Sequence, residues 1–110
     1  MRIIHKDLTV GRWKRLDFVT QMANIGSEVE RTISWKVKGN ELYSQKAFYR
    51  SLELLDLTIG CLDRASGLRE LTRLREVLVD YFAGQNNYSS TDDSWRKYFY
   101  FFNFSARRTK

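Results

Sequence analysis

Residues 12–39, RWKRLDFVTQMANIGSEVERTISWKVKG, set the architecture. Phe18, Met22, Ile25, Val29 and Ile33 step by 4, 3, 4 and 4, the spacing that puts one apolar stripe on a helix. A second row, Leu16, Val19, Ala23 and Gly26, widens that face. Gly39-Asn40 is a C-terminal stop signal, so the stretch predicts a helix over about residues 12–38. Gly26 admits two readings. A continuous helix uses it for close backbone approach to a neighbour. Alternatively, Ser27-Glu28-Val29-Glu30 is a capping box that restarts the helix after a kink. The stripe keeps phase across Gly26, which favours continuity.

Working outward, the pattern repeats in kind. Phe48, Leu52, Leu55, Ile59 and Leu62 form a heptad-like seam, predicting a second helix over about 44–62, with Glu41 as an alternative start. Leu71, Leu74, Leu78 and Tyr81 predict a third over 68–83, closed by Gly84. After a polar loop, Thr91-Asp92-Asp93 offers an N-cap and an acidic first turn to a fourth, over 92–107. Its aromatic run Tyr98–Phe102 also suits a strand, but only Arg2–Ile4 offers a weak partner. The chain has no proline, which favours helices further. A chain of 110 residues fits one domain. The expectation is an all-α, antiparallel up-down-up-down four-helix bundle over residues 1–110, with residues 1–11 as an N-terminal arm.

Composition excludes several kinds of chemistry. One cysteine, Cys61, rules out an intrachain disulfide, and one histidine, His5, rules out paired-His metal motifs. No apolar run approaches the roughly 18–20 residues of a membrane span. The opening residues lack the apolar core of a signal peptide, so a cytoplasmic location is expected. His5 is expected to be solvated, and Cys61 to serve as a small apolar residue. Glu53 with Asp56, and Glu76 with Asp80, are interleaved with Arg50, Arg73 and Arg75 and avoid the seams, which predicts salt bridges rather than a metal site. Gln21, Asn24 and Ser27 are read as a solvated face or as a buried polar cluster that fixes register. No phosphate-binding glycine loop and no nucleophile with its base is present, so no catalytic residue, metal or cofactor is expected.

Charge is the most directional signal. The formal net charge is +6. Residues 1–15 carry Arg2, Lys6, Arg12, Lys14 and Arg15 against Asp7, and residues 96–110 carry Arg96, Lys97, Arg107, Arg108 and Lys110 with no acid. Between them acids outnumber cations. In an up-down-up-down bundle both ends of the chain lie at one pole, which would gather this charge and attract phosphates. Arg12, Lys14, Arg15, Arg107, Arg108 and Lys110 are the expected contacts to RNA or DNA backbone. The fourth helix has more aromatics than one stripe can bury. Tyr100, Phe101 and Phe104 are left over, either to cover the first helix or to form an interface with a second copy or a larger protein partner.

The segments Asn24–Val29, Leu52–Thr58 and Arg73–Glu76 lie in a chain whose length, four helices and basic pI resemble the small basic four-helix-bundle proteins of bacteria and phages. These include the accessory subunits of diversity-generating retroelements. The resemblance is one of whole-chain architecture. It implies a homo-oligomer that binds nucleic acid beside a reverse transcriptase, and it transfers no individual residue. The expected function is a non-catalytic nucleic-acid-binding accessory protein. The alternative is a homo-oligomeric interaction module built on the aromatic fourth helix, without nucleic acid.

Overall fold

A computed structural model describes residues 10–108. The described residues are helical throughout their regular structure, with no strand, and form five helices: α1 (Val10–Lys14), α2 (Phe18–Val37), α3 (Glu41–Gly60), α4 (Ala65–Ala83) and α5 (Asp92–Arg108). The proposed N-terminal arm, with His5, lies almost wholly outside them.

The first helix starts later than its apolar stripe suggests. A short α1 precedes a break at residues 15–17, and α2 begins at Phe18 rather than Arg12. The cause is Asp17, whose extended backbone and side chain cap the new helix: Thr20 N–H donates to Asp17 Oδ1 at 2.8 Å. From there α2 runs unbroken through Gly26. A Cβ at Gly26 would lie 2.8 Å from Phe99 Cβ and 2.9 Å from its ring, so the missing side chain is what lets α5 sit on α2. The second helix opens at Glu41, because Asn40 Oδ1 accepts from Tyr43 N–H at 3.0 Å, and it ends two residues short of Leu62. The third opens at Ala65, three residues before Leu68. The fourth opens on a reciprocal cap in which Ser94 N–H donates to Thr91 Oγ1 and Thr91 N–H donates to Ser94 Oγ.

Contacts fix how the helices meet. Along α2 and α5, Lys36 pairs with Asp92 (3.2 Å), Glu30 with Arg96 (2.9 Å), Gly26 abuts Phe99, and Phe18 meets Phe102 edge-on. Numbers fall on one helix as they rise on the other, so the two run in opposite directions. The same holds for α2 and α3, where Ser44 Oγ donates to Thr32 O at 2.8 Å and Arg50 approaches Glu28. Arg75 on α4 reaches Asp56 on α3 at 2.7 Å, and Phe82 packs on Phe48.

The core takes Met22, Ile25, Val29 and Ile33 from α2, which lies between α3 and α5. Its second row, Leu16, Val19 and Ala23, is half-buried, while Phe18 is exposed because it opens the helix. α3 is buried beyond its seam: Ala47, Ser51, Leu54 and Thr58 are also inside, since this helix carries α1, α2 and α4. α4 buries only Leu71, Leu74 and Leu78. The link to α5 is organised by Asp80, whose carboxylate accepts the N–H groups of Asn87 and Tyr88.

Candidate nucleic-acid interface

Trp13 anchors the N-terminal cations. This residue is 1% exposed, and its indole N–H donates to Thr58 Oγ1 at 2.9 Å. Gln21 Nε2, itself buried, donates to Trp13 O at 3.0 Å. One turn of helix is thus held by an apolar plug and two buried hydrogen bonds, one to α3 and one from α2, each contributing about 1 kcal/mol net. With Trp13 turned in, Arg12, Lys14 and Arg15 on either side of it are exposed.

At the other end of the chain, Ala106 is buried and Arg107 and Arg108 are exposed. The ring of Phe102 meets Phe18 at 6.2 Å, which puts the last turns of α5 beside the start of α2. The two groups of cations therefore share one end of the molecule. Among the described residues, Lys14, Arg15, Arg107 and Arg108 form no ion pair. Arg108 instead lies 5.7 Å from the centre of the Phe104 ring, a cation–π contact. Lys110 lies outside the described residues.

Elsewhere Arg31, Lys36, Arg50, Arg75 and Arg96 pair with acids, whereas Lys38, Lys46, Arg64, Arg69, Arg73 and Lys97 form no ion pair among the described residues. Arg96, one of the C-terminal cations, is held by Glu30 through both Nε (2.9 Å) and Nη2 (3.0 Å), so it does not join the basic end. That hydrogen bond holds the Glu30 carboxyl below the ordinary glutamate range. Asp92 accepts from Tyr81 (2.6 Å) and Lys36. Burial is the largest influence on it and works to raise its pKa, but the hydrogen bonds and the Lys36 charge together bring it below the usual aspartate value. Asp56 pairs with Arg75, but Glu53 departs from the surface position expected of it: it is 5% exposed, drawn in by the wide burial of α3. The polar trio of α2 divides, with Gln21 inside and Asn24 and Ser27 exposed, donating to the carbonyls one turn back. Cys61 is half-buried against the core at the end of α3.

On α5, Trp95 and Phe99 face inward with Tyr98 and Phe102 half-buried. Tyr100 and Phe101 are 67% and 63% exposed, and Phe104 is 47% exposed and stacked on Tyr100. They do not cover α2. The aromatic face adjoins the arginines at the end of the same helix.

A second cationic surface was not visible as a site in the sequence. Arg31 and Trp35 on α2 face Tyr43, Lys46 and Arg50 on α3 across a groove of about 330 Å³. Its only trace in the sequence is helical spacing on two separate helices, which the fold must first bring together. Among the described residues no group of acids, histidine and cysteine is placed to hold a metal ion, and no helix is long and apolar enough to cross a membrane. No family model, curated protein or solved structure matches the chain.

Proposed function

We propose that this chain is a non-catalytic accessory protein that binds nucleic acid through phosphate contacts at its basic end, on an up-down-up-down bundle of its four long helices. The observation that carries the reading is the gathering of exposed charge from both ends of the chain. Lys14 and Arg15 next to the start of α2, and Arg107 and Arg108 at the end of α5, are exposed without an ion pair among the described residues, and the Phe18–Phe102 contact brings those two helix ends together. Body cations such as Lys38, Arg64, Arg69, Arg73 and Lys97 also form no ion pair among the described residues but are spread over several helices. Arg12 lies with them and Lys110 continues the series in sequence. Phosphate binding releases condensed counterions, so affinity falls as salt rises.

The test is fluorescence anisotropy with a labelled duplex and a labelled single strand over a salt series. Arg107→Ala with Arg108→Ala should weaken binding similarly for all sequences. It should flatten the slope of log K against log salt by about 1.8 for duplex or 1.4 for single strand, two contacts' worth. Unchanged affinity and slope in the double variant would sink the assignment.

A second reading has its own observation: the exposed ring face of Tyr100, Phe101 and Phe104. Contiguous exposed aromatics of this kind mark interfaces, and the occupant is a second copy of the chain.

A further inference from the structure

We infer that the groove between Arg31, Trp35, Tyr43, Lys46 and Arg50 is a binding site for a nucleoside phosphate. This site is separate from the basic end and does not depend on it.

The groove is built where α2 turns into α3. Gly39, with a φ of 79°, reverses the chain in the short connection. The last turns of α2 and the first of α3 then lie side by side, and two rows of side chains oppose each other. Trp35 and Tyr43 meet edge to face with ring centres 4.9 Å apart. Lys38 lies 5.0 Å over the Trp35 ring and Lys46 lies 5.7 Å over the Tyr43 ring. One turn further in, Glu28 is buried under the cations. Arg31 Nη1 donates to Glu28 Oε1 at 3.3 Å, and Arg50 Nε stands 3.5 Å from Glu28 Oε2.

Two features favour an anionic ligand. The groove is lined by three cations and no acid, and the one carboxylate beneath is shared by two guanidiniums. Like charges are thereby held close together, an arrangement that a doubly charged phosphate relieves. Secondly, Arg50 Nε is buried, and although it is within ion-pairing distance of Glu28 its geometry makes no hydrogen bond. Buried donors are rarely left so, and Arg50 is one of the residues that line the groove.

The rings decide which phosphate compound fits. Ring faces overlaid by flexible lysine side chains, beside the Trp35–Tyr43 edge-to-face contact, suit a base, which stacks on a ring while the displaced ammonium moves to the phosphate. A volume of about 330 Å³ is at the lower end of the ligand-pocket range of about 300–1,000 Å³ and suits one nucleotide rather than a long ligand. The nucleotide is either free or part of a single strand.

The experiment exploits Trp35. Trp13 and Trp95 are both buried in the core, so quenching by a ligand in this groove reports on Trp35. Wild-type protein is titrated with AMP, with adenosine, with inorganic phosphate and with an oligoadenylate of about ten nucleotides. Saturable quenching by AMP that exceeds the effect of adenosine or phosphate alone supports the site. Quenching by the oligonucleotide but not by AMP assigns the groove to an internal nucleotide of a strand. Arg31→Ala with Lys46→Ala removes two exposed side chains, and circular dichroism should show the fold retained. Affinity should then fall about tenfold or more, since two charge-assisted contacts to the phosphate are lost. Arg107→Ala with Arg108→Ala should leave the AMP titration unchanged, which keeps the two sites distinguishable. The proposal is overturned if neither AMP nor the oligonucleotide quenches saturably, or if the Arg31/Lys46 variant binds as tightly as wild type.

Discussion

Replacing Gly26 by alanine reverses an ordinary rule. In an exposed helix interior the change gains up to about 1 kcal/mol from propensity. Here the new methyl would stand 2.8 Å from Phe99 Cβ, an atom fixed to the backbone of α5 that cannot swing aside. Overpacking of this kind costs about 1–3 kcal/mol, so Gly26→Ala should lower the denaturation midpoint in urea, and a rise would mean that α5 yields freely. At this scale the sequence is partly legible. The unbroken phase of Met22, Ile25 and Val29 identifies Gly26 as a point of close approach, because a stripe that continues past a glycine needs no kink. Asp17 is not legible because its capping role depends on one extended residue at the end of a three-residue break, and the apolar pattern runs straight over it. Glu28 and Glu53 are not legible for another reason: whether a carboxylate is buried depends on the neighbouring helix, not on its own.

Among the elements, α2 and α5 are joined by two ion-paired clusters, Glu30 with Arg96 and Asp92 with Lys36 and Tyr81. Both carboxyls are held below their ordinary values in the folded protein. The folded state therefore binds fewer protons than the unfolded chain in mild acid, and the stabilisation is complete above the unfolded values of about 4.3 for Glu and 3.9 for Asp. It disappears as pH falls through the lower folded values. Thermal melts should be nearly flat in this respect from pH 7 to 5 and decline below about pH 4, and Glu30→Gln with Asp92→Asn should make the decline shallower. A double variant with the same acid limb as wild type would mean that other groups govern it. Because the pairs are partly solvated, their contribution at neutral pH is small, about 0–1 kcal/mol each. The α3, α4 and α5 spans are readable from apolar spacing to within a few residues. The split of the first helix is not, since α1 is only 5 residues long and lives on a tertiary contact.

For the whole molecule, exposed rings and exposed cations share α5. If Tyr100, Phe101 and Phe104 seat a second copy, sedimentation velocity should show a concentration-dependent dimer or larger species, and Phe101→Ser with Phe104→Ser should return it to a monomer. A wild-type protein that is monomeric at all accessible concentrations would remove the self-association reading. The arrangement of charge at this scale could be anticipated, because the two ends of the sequence are so plainly basic. The groove at the opposite end of α2 could not, because its cations and rings are scattered among acids until two helices align. The anchoring of Trp13 on Thr58 has one more consequence. Ser44 meets Thr32 across only 12 residues, whereas Trp13 meets Thr58 across 45. Short loops close at lower entropic cost, so the hairpin of α2 and α3 is expected to form before the indole reaches its hydroxyl. On that expectation the cationic end is among the last parts of the molecule to take shape, and a partly folded chain would present its positive charges without the geometry that gathers them.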